Sequence, residues 1–228
     1  MNDFIAKHIW GLLGLALFIT GTVMGLFVAP TEQHMGDVYR ILYVHVPTAW
    51  VGMLFFFIAF CFAIASLWTG SPGHDHRMVG SLETATIFCG LLLIQGSIWA
   101  KPTWGVWWTP DVRLTTSAIM FLLLVGILAY RSYVEHREQR AIRSAVATII
   151  AFVDVPIVYF CVKVMRTVHQ TQSSPETVDA PMIVPLHINS FGLLFIAIWF
   201  VSMRARIEAN RALGEDVPLP PKLVTEEA

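Results

Sequence analysis

Six long apolar runs divide the chain, at about Ile9 to Ala29, Ala49 to Trp68, Ser81 to Ala100, Leu114 to Tyr130, Ala145 to Met165, and Leu186 to Met203. Polar residues fall in short clusters between these runs and do not recur inside them with the 3.6-residue period of a soluble amphipathic helix. A hydrocarbon core of about 30 Å takes roughly 20 helical residues, and a backbone inside it must satisfy its own hydrogen bonds. The pattern predicts an all-α integral membrane protein with six transmembrane helices. One membrane domain covers residues 1–228, with spans and loops over 1–203 and a polar tail over 204–228 that reads as disordered. The first run follows only eight residues and has no small-residue cleavage site leading into a soluble domain, so it reads as a retained span.

Composition agrees with this: 56% hydrophobic and 14% charged leaves little chain for a soluble domain. The long apolar runs point to membrane lipid as surroundings, and a net charge of −1 with no basic arm or stripe gives no sign of nucleic acid. If the spans alternate, one side holds Lys7, Arg77, Arg131, Arg137, Arg140, Arg143, Arg204, Arg206, Arg211 and Lys222. The other holds only Arg40, Lys101, Arg113, Lys163 and Arg166. The positive-inside rule then predicts both termini in the cytoplasm and the stretch Lys101–Arg113 on the periplasmic face. Cys61, Cys89 and Cys161 all lie within spans and read as packing residues.

The connections carry their own expectations. In Pro30 to Thr48, Val38, Ile41, Leu42 and His45 recur at helical spacing beside Tyr39 and Tyr43, which predicts a short interfacial helix. Pro47 would open the second span, leaving His45 just outside a helix start. His74 and His76 read as residues of a solvated turn, and RSYVEHREQRAIR as a solvated helical hairpin. Asp154, two residues before Pro156, is an ionisable group at membrane depth. Its structural reading is a protonated carboxyl donating to the Phe152 carbonyl that the proline frees, or to a neighbouring helix. Residues 166–185 form the longest outer connection, with His169 at its beginning.

The candidate chemistry gathers at the outer face, around KPTWGVWWTPDVR: Trp99, Lys101, Trp104, Trp107, Trp108, Asp111 and Arg113, with His34, His45, His169 and His187 near span ends. Cysteine, an HExxH run and a second carboxylate are missing from this group, which argues against a zinc hydrolase, and the chain has no P-loop. Two imidazoles on different helices beside aromatic faces suit an iron-containing macrocycle whose carboxylates a lysine or arginine can pair. Gly105 would let the backbone approach a ligand closely. Taken alone, these residues leave open a heme site and an interfacial tryptophan belt.

The run WGVWWTPD resembles the tryptophan-rich WGxWWxWD signature of heme-handling membrane proteins. With its lead-in GSIWAKPTWG, with YRILYVHVP before the second span and with VHQ after the fifth, the chain resembles the cytochrome c maturation protein C (CcmC) family. The likeness runs from Pro30 to Gln170, and the six-span plan extends it to nearly the whole chain. It implies His45 and His169 as axial ligands of a heme b iron, Trp104, Trp107 and Trp108 as the aromatic platform beside Gly105, and Asp111 as the signature's terminal aspartate. One departure stands out: Pro110 occupies the place of the signature's last tryptophan. The resemblance further implies a multi-pass protein of the bacterial inner membrane with no catalytic residue. Its task would be loading heme onto the chaperone CcmE, in association with the ABC-type pair CcmA and CcmB and the small subunit CcmD. Two alternatives are weaker on sequence grounds. Heme lyase or synthase relatives are longer, and a membrane b-type cytochrome would carry its histidine pair inside the spans.

Overall fold

The computed structural model describes residues 2–170, 173 and 177–215. Helix α1 covers Asn2–Val23 and runs on into a π-helical turn, Met24–Val28. A 3-10 turn, Asp37–Ile41, leads into α2, Leu42–Thr69. There follow α3, Pro72–Trp104; α4, Val112–Tyr133; α5, Arg137–Ala151; α6, Asp154–Val164; and α7, Ala180–Glu215. Among the described residues, six helical stretches are long and apolar enough to cross a membrane: Lys7–Val28, Asp37–Thr69, Pro72–Trp104, Val112–Tyr133, Arg137–Val164 and Ala180–Arg211. The described residues contain no strand, so the all-α, six-span expectation holds.

Prolines set the irregularities. The interfacial helix expected ahead of the second span is a 3-10 turn continuous with α2, so His45 lies inside the helix, one turn in, and Pro47 lies within it too. Pro47 has no N–H for the carbonyl of Tyr43. Asn189 of α7, fully buried, supplies the missing donor, its Nδ2 lying 2.7 Å from that oxygen. The fifth span breaks into α5 and α6 before Pro156, and Asp154 opens α6. The bond expected from Asp154 to Phe152 does not form: the Phe152 carbonyl accepts the Val155 N–H at 3.0 Å, and Asp154 Oδ2 is buried without a partner.

Packing pairs α2 with α3 and α1 with α7, and α3 lies against α7 between the pairs. The α1–α7 seam depends on small residues, since a side chain on Gly14 would run into the Gly192 carbonyl and the Ile196 backbone. At the end of the bundle away from Lys101–Arg113, the charged connection is a largely exposed helical hairpin, as expected, but Arg131 and Arg140 within it are buried. Arg131 of α4 donates to Asp75 of α3 at 2.7 and 2.9 Å, to Ser144 of α5 at 2.8 Å and to Glu208 of α7 at 3.2 Å. Arg204 pairs with Glu83 nearby. The polar tail is therefore helical as far as Glu215 and packed through Glu208, because the Arg204 guanidinium and the Glu208 carboxylate meet opposite charges on other helices. Residues 216–228 lie outside the described residues. His74 and His76 sit in the first turn of α3, not in a loop, with His74 Nδ1 2.9 Å from Thr69 Oγ1.

Candidate functional site

At the opposite end, a pocket opens among α2, α3, α4, α6 and the segment after α6. The floor is apolar, with Met53, Leu92, Leu93 and Val158, and the rim carries His45, His169, Trp99, Trp104, Trp108 and Arg113.

Each rim residue is placed by local structure. Helix α3 ends at Trp104 because Gly105 takes a left-handed conformation, φ +78°, and its N–H caps the Lys101 carbonyl at 3.0 Å. Lys101 Nζ donates to the Gly105 carbonyl at 2.9 Å. Gly105 thus ends the helix and turns the chain; it does not itself line the pocket. Trp104 packs edge-on against Trp99, their ring centroids 5.0 Å apart at 70°, and Trp99 lies 6.1 Å from the His169 ring.

Asp111 works from behind the pocket. Its Oδ1 accepts the Arg113 N–H at 2.9 Å, capping α4, and the Thr167 hydroxyl at 2.8 Å; its Oδ2 accepts the Val168 N–H at 2.9 Å. The tryptophan loop and the His169 segment are thereby tied together. Burial alone would raise the Asp111 carboxyl. The Thr167 hydroxyl and the backbone N–H groups of Val168, Arg113 and Leu114 outweigh burial and hold it below the ordinary aspartate value.

The two histidines differ in their hydrogen-bond partners. His169 Nδ1 lies 2.8 Å from the Gln170 carbonyl, which can only accept, so the proton sits on Nδ1 and the lone pair on Nε2. Burial first, and then the positive charge of Arg113, lower its pKa, keeping the ring neutral at physiological pH. His45 Nδ1 is buried with no hydrogen-bond partner, as is Arg113 Nη1.

Of the residues singled out in sequence, His45, His169, Trp99, Trp104, Trp108 and Arg113 line this one pocket. Trp107 is 59% exposed and lies outside it. His187, on α7, faces Trp50 at 6.4 Å, and His34 sits in the turn closed by Glu32; neither reaches the pocket. Trp50 and Tyr159 are lining residues that sequence reasoning passed over. Inside apolar runs, nothing local separates them from ordinary span residues. Among the described residues no three His, Cys, Asp or Glu side chains converge as a metal cluster.

A profile of the CcmC family, described as heme exporter protein C, matches residues 3–216. The chain belongs to the heme exporter protein C family. Among its relatives, heme exporter protein C of Haemophilus influenzae is 36% identical over 217 residues, 93% of this chain and 87% of the relative. The protein of that name from Bradyrhizobium diazoefficiens is 33% identical over 81% of this chain and 72% of its own length. The Escherichia coli K12 protein is 28% identical over 84% and 79%. The resemblance read from WGVWWTPD, YRILYVHVP and VHQ therefore extends over most of the chain. With its six spans, this member of the heme exporter protein C family is a multi-pass inner-membrane protein of cytochrome c biogenesis.

Proposed function

We propose that the pocket binds heme b between His45 and His169 and presents it at the periplasmic face for loading onto the chaperone CcmE, within a complex that includes CcmA, CcmB and CcmD. The observation that carries this reading is the meeting of His45, His169, Trp104, Trp108 and Arg113 in one pocket, from elements far apart in sequence. The donor set fits the ligand. A neutral His169 offers its Nε2 lone pair, and a second imidazole, that of His45, lines the same pocket. Two axial imidazoles suffice where the macrocycle supplies the equatorial ligands. The indoles and the apolar floor suit a flat porphyrin, and the unpartnered Arg113 Nη1 suits its carboxylates.

Bound heme would supply an iron centre to be handed on; the chain's own residues hold, orient and release it. His45 is fixed on a helix, whereas His169 stands on a segment held largely through Asp111. Loosening that tie withdraws one imidazole without disturbing the bundle, which is what transfer to a chaperone requires. Trp107, exposed beside Val106, is available as a contact for the chaperone. Any ATP-driven step belongs to the partners, and this chain carries no catalytic residue.

The test is the visible spectrum of the detergent-purified protein with the chaperone co-expressed. The parent and His187→Gly should show bis-histidine heme, and His45→Gly and His169→Gly should lose it. Unchanged heme in both ligand variants, or none in the parent, would remove the reading.

A further inference from the structure

Two buried polar atoms, one on a residue that lines the pocket and one on a residue near it, lack a well-formed hydrogen bond, and they are complementary. One is His45 Nδ1 on α2; the other is Gln95 Oε1 on α3. The Gln95 side chain lies close enough to act on the His45 ring, although no bond of good geometry closes. An uncharged amide oxygen left alone in an apolar wall is unfavourable unless something donates to it.

The Gln95 amide is already turned for this. Thr48, one turn beyond His45 on the same face of α2, donates its hydroxyl proton to the Val44 carbonyl at 2.7 Å. Its oxygen is left to accept from Gln95 Nε2, at 3.4 Å. With the nitrogen end given to Thr48, the oxygen end remains for His45. The next residue of α3 has no side chain: a Cβ on Gly96 would stand 3.4 Å from His45 Cε1. Because Cε1 is the carbon between the two ring nitrogens, the imidazole edge lies close against α3. An acceptor opposite Nδ1 selects the tautomer with its lone pair on Nε2.

We propose that Gln95 is the positioning residue for His45: its Oε1 accepts the Nδ1–H, holds the ring with Nε2 toward the pocket, and makes that nitrogen a stronger donor to heme iron. His169 is oriented in the same sense by the Gln170 carbonyl, so one imidazole is set by main chain and the other by a side-chain amide. The inference rests on His45 being an iron ligand.

The experiment titrates hemin into the full-length, detergent-purified protein and measures affinity, visible spectrum and reduction potential. The variants are Gln95→Leu, Gln95→Glu and His45→Gly. Gln95→Leu should weaken binding about 10- to 100-fold, the usual effect of losing such a partner, and raise the potential. Gln95→Glu, a stronger acceptor, should hold affinity near the parent and lower the potential. Should Gln95→Leu fail to accumulate, the sign of the shift in Gln95→Glu decides alone. Potentials unchanged in the Gln95 variants, while His45→Gly loses the bis-histidine spectrum, overturn this proposal only. A His45→Gly protein that binds hemin with parental affinity and spectrum overturns the ligand reading beneath it.

Discussion

Asp111 closes a signature dominated by tryptophans, yet its carboxylate points away from the pocket and into the backbone of the His169 segment. Replacement by asparagine preserves shape and removes charge. One of its atoms becomes an NH2 set against a donor, either the Arg113 N–H or the Val168 N–H. Hydrogen bonds to a charged group are worth about 1.5–3 kcal/mol, so Asp111→Asn should lower heme affinity by about tenfold or more and speed proteolysis after Met165, with the spans intact by circular dichroism. The pH dependence runs in one direction. The depressed Asp111 carboxyl contributes stability above the ordinary aspartate value, lost as pH falls through its lowered one. The depressed His169 likewise favours the folded site at neutral pH and opposes it once protonated. Hemin affinity should therefore be flat above about pH 6.5 and fall on acidification; affinity that rises toward acid would contradict both assignments. At this scale the sequence was legible where chemistry is local. His45, His169, Trp104 and Trp108 stood out as polar or amphipathic groups near span ends. The tie between Asp111 and Thr167 was not legible, because only the fold brings the two loops together.

Among the elements, α2 shows how a proline at a helix start depends on a distant helix. Pro47 was visible in sequence, and its effect on the Tyr43 carbonyl follows from its missing N–H. That Asn189 would answer it could not be read from a chain in which the two lie on different spans. Asn189→Leu leaves the carbonyl unsatisfied, at about 1–3 kcal/mol, and loosens the turn that carries His45. We expect a lower thermal midpoint and weaker hemin binding. Adding Pro47→Ala restores an N–H for Tyr43, and the double variant should recover most of both losses; losses that merely add would show that Asn189 acts elsewhere. The break at Phe152 was half legible in the same way: Pro156 announced it, but the turn bond from Val155 was a matter of local geometry.

Across the whole molecule, the two ends of the bundle are built on opposite terms. One is an open aromatic pocket; the other is closed by Arg131 between Asp75 and Glu208. Removing one member of a buried ionic group costs about 3–5 kcal/mol because the remaining charges stay buried. Arg131→Met should accordingly depress the thermal midpoint strongly while leaving the heme spectrum of the surviving folded protein unchanged, and a shifted spectrum would show that the two ends are coupled. The six spans were legible because length and apolarity are properties of a single segment. The ionic closure was not, since Arg131 and Glu208 look like ordinary solvated charges until their partners are known. The pairing of α1 with α7 has a consequence for how the chain is made. Helix α1 leaves the ribosome before α2 to α6 are synthesised, and the face around Gly14 must wait beside lipid until α7 arrives with Gly192. A chain stalled before residue 180 holds an unmatched α1 and an Arg131 without Glu208. Completion of synthesis, rather than insertion of any one span, is the moment at which the bundle becomes resistant to membrane proteases.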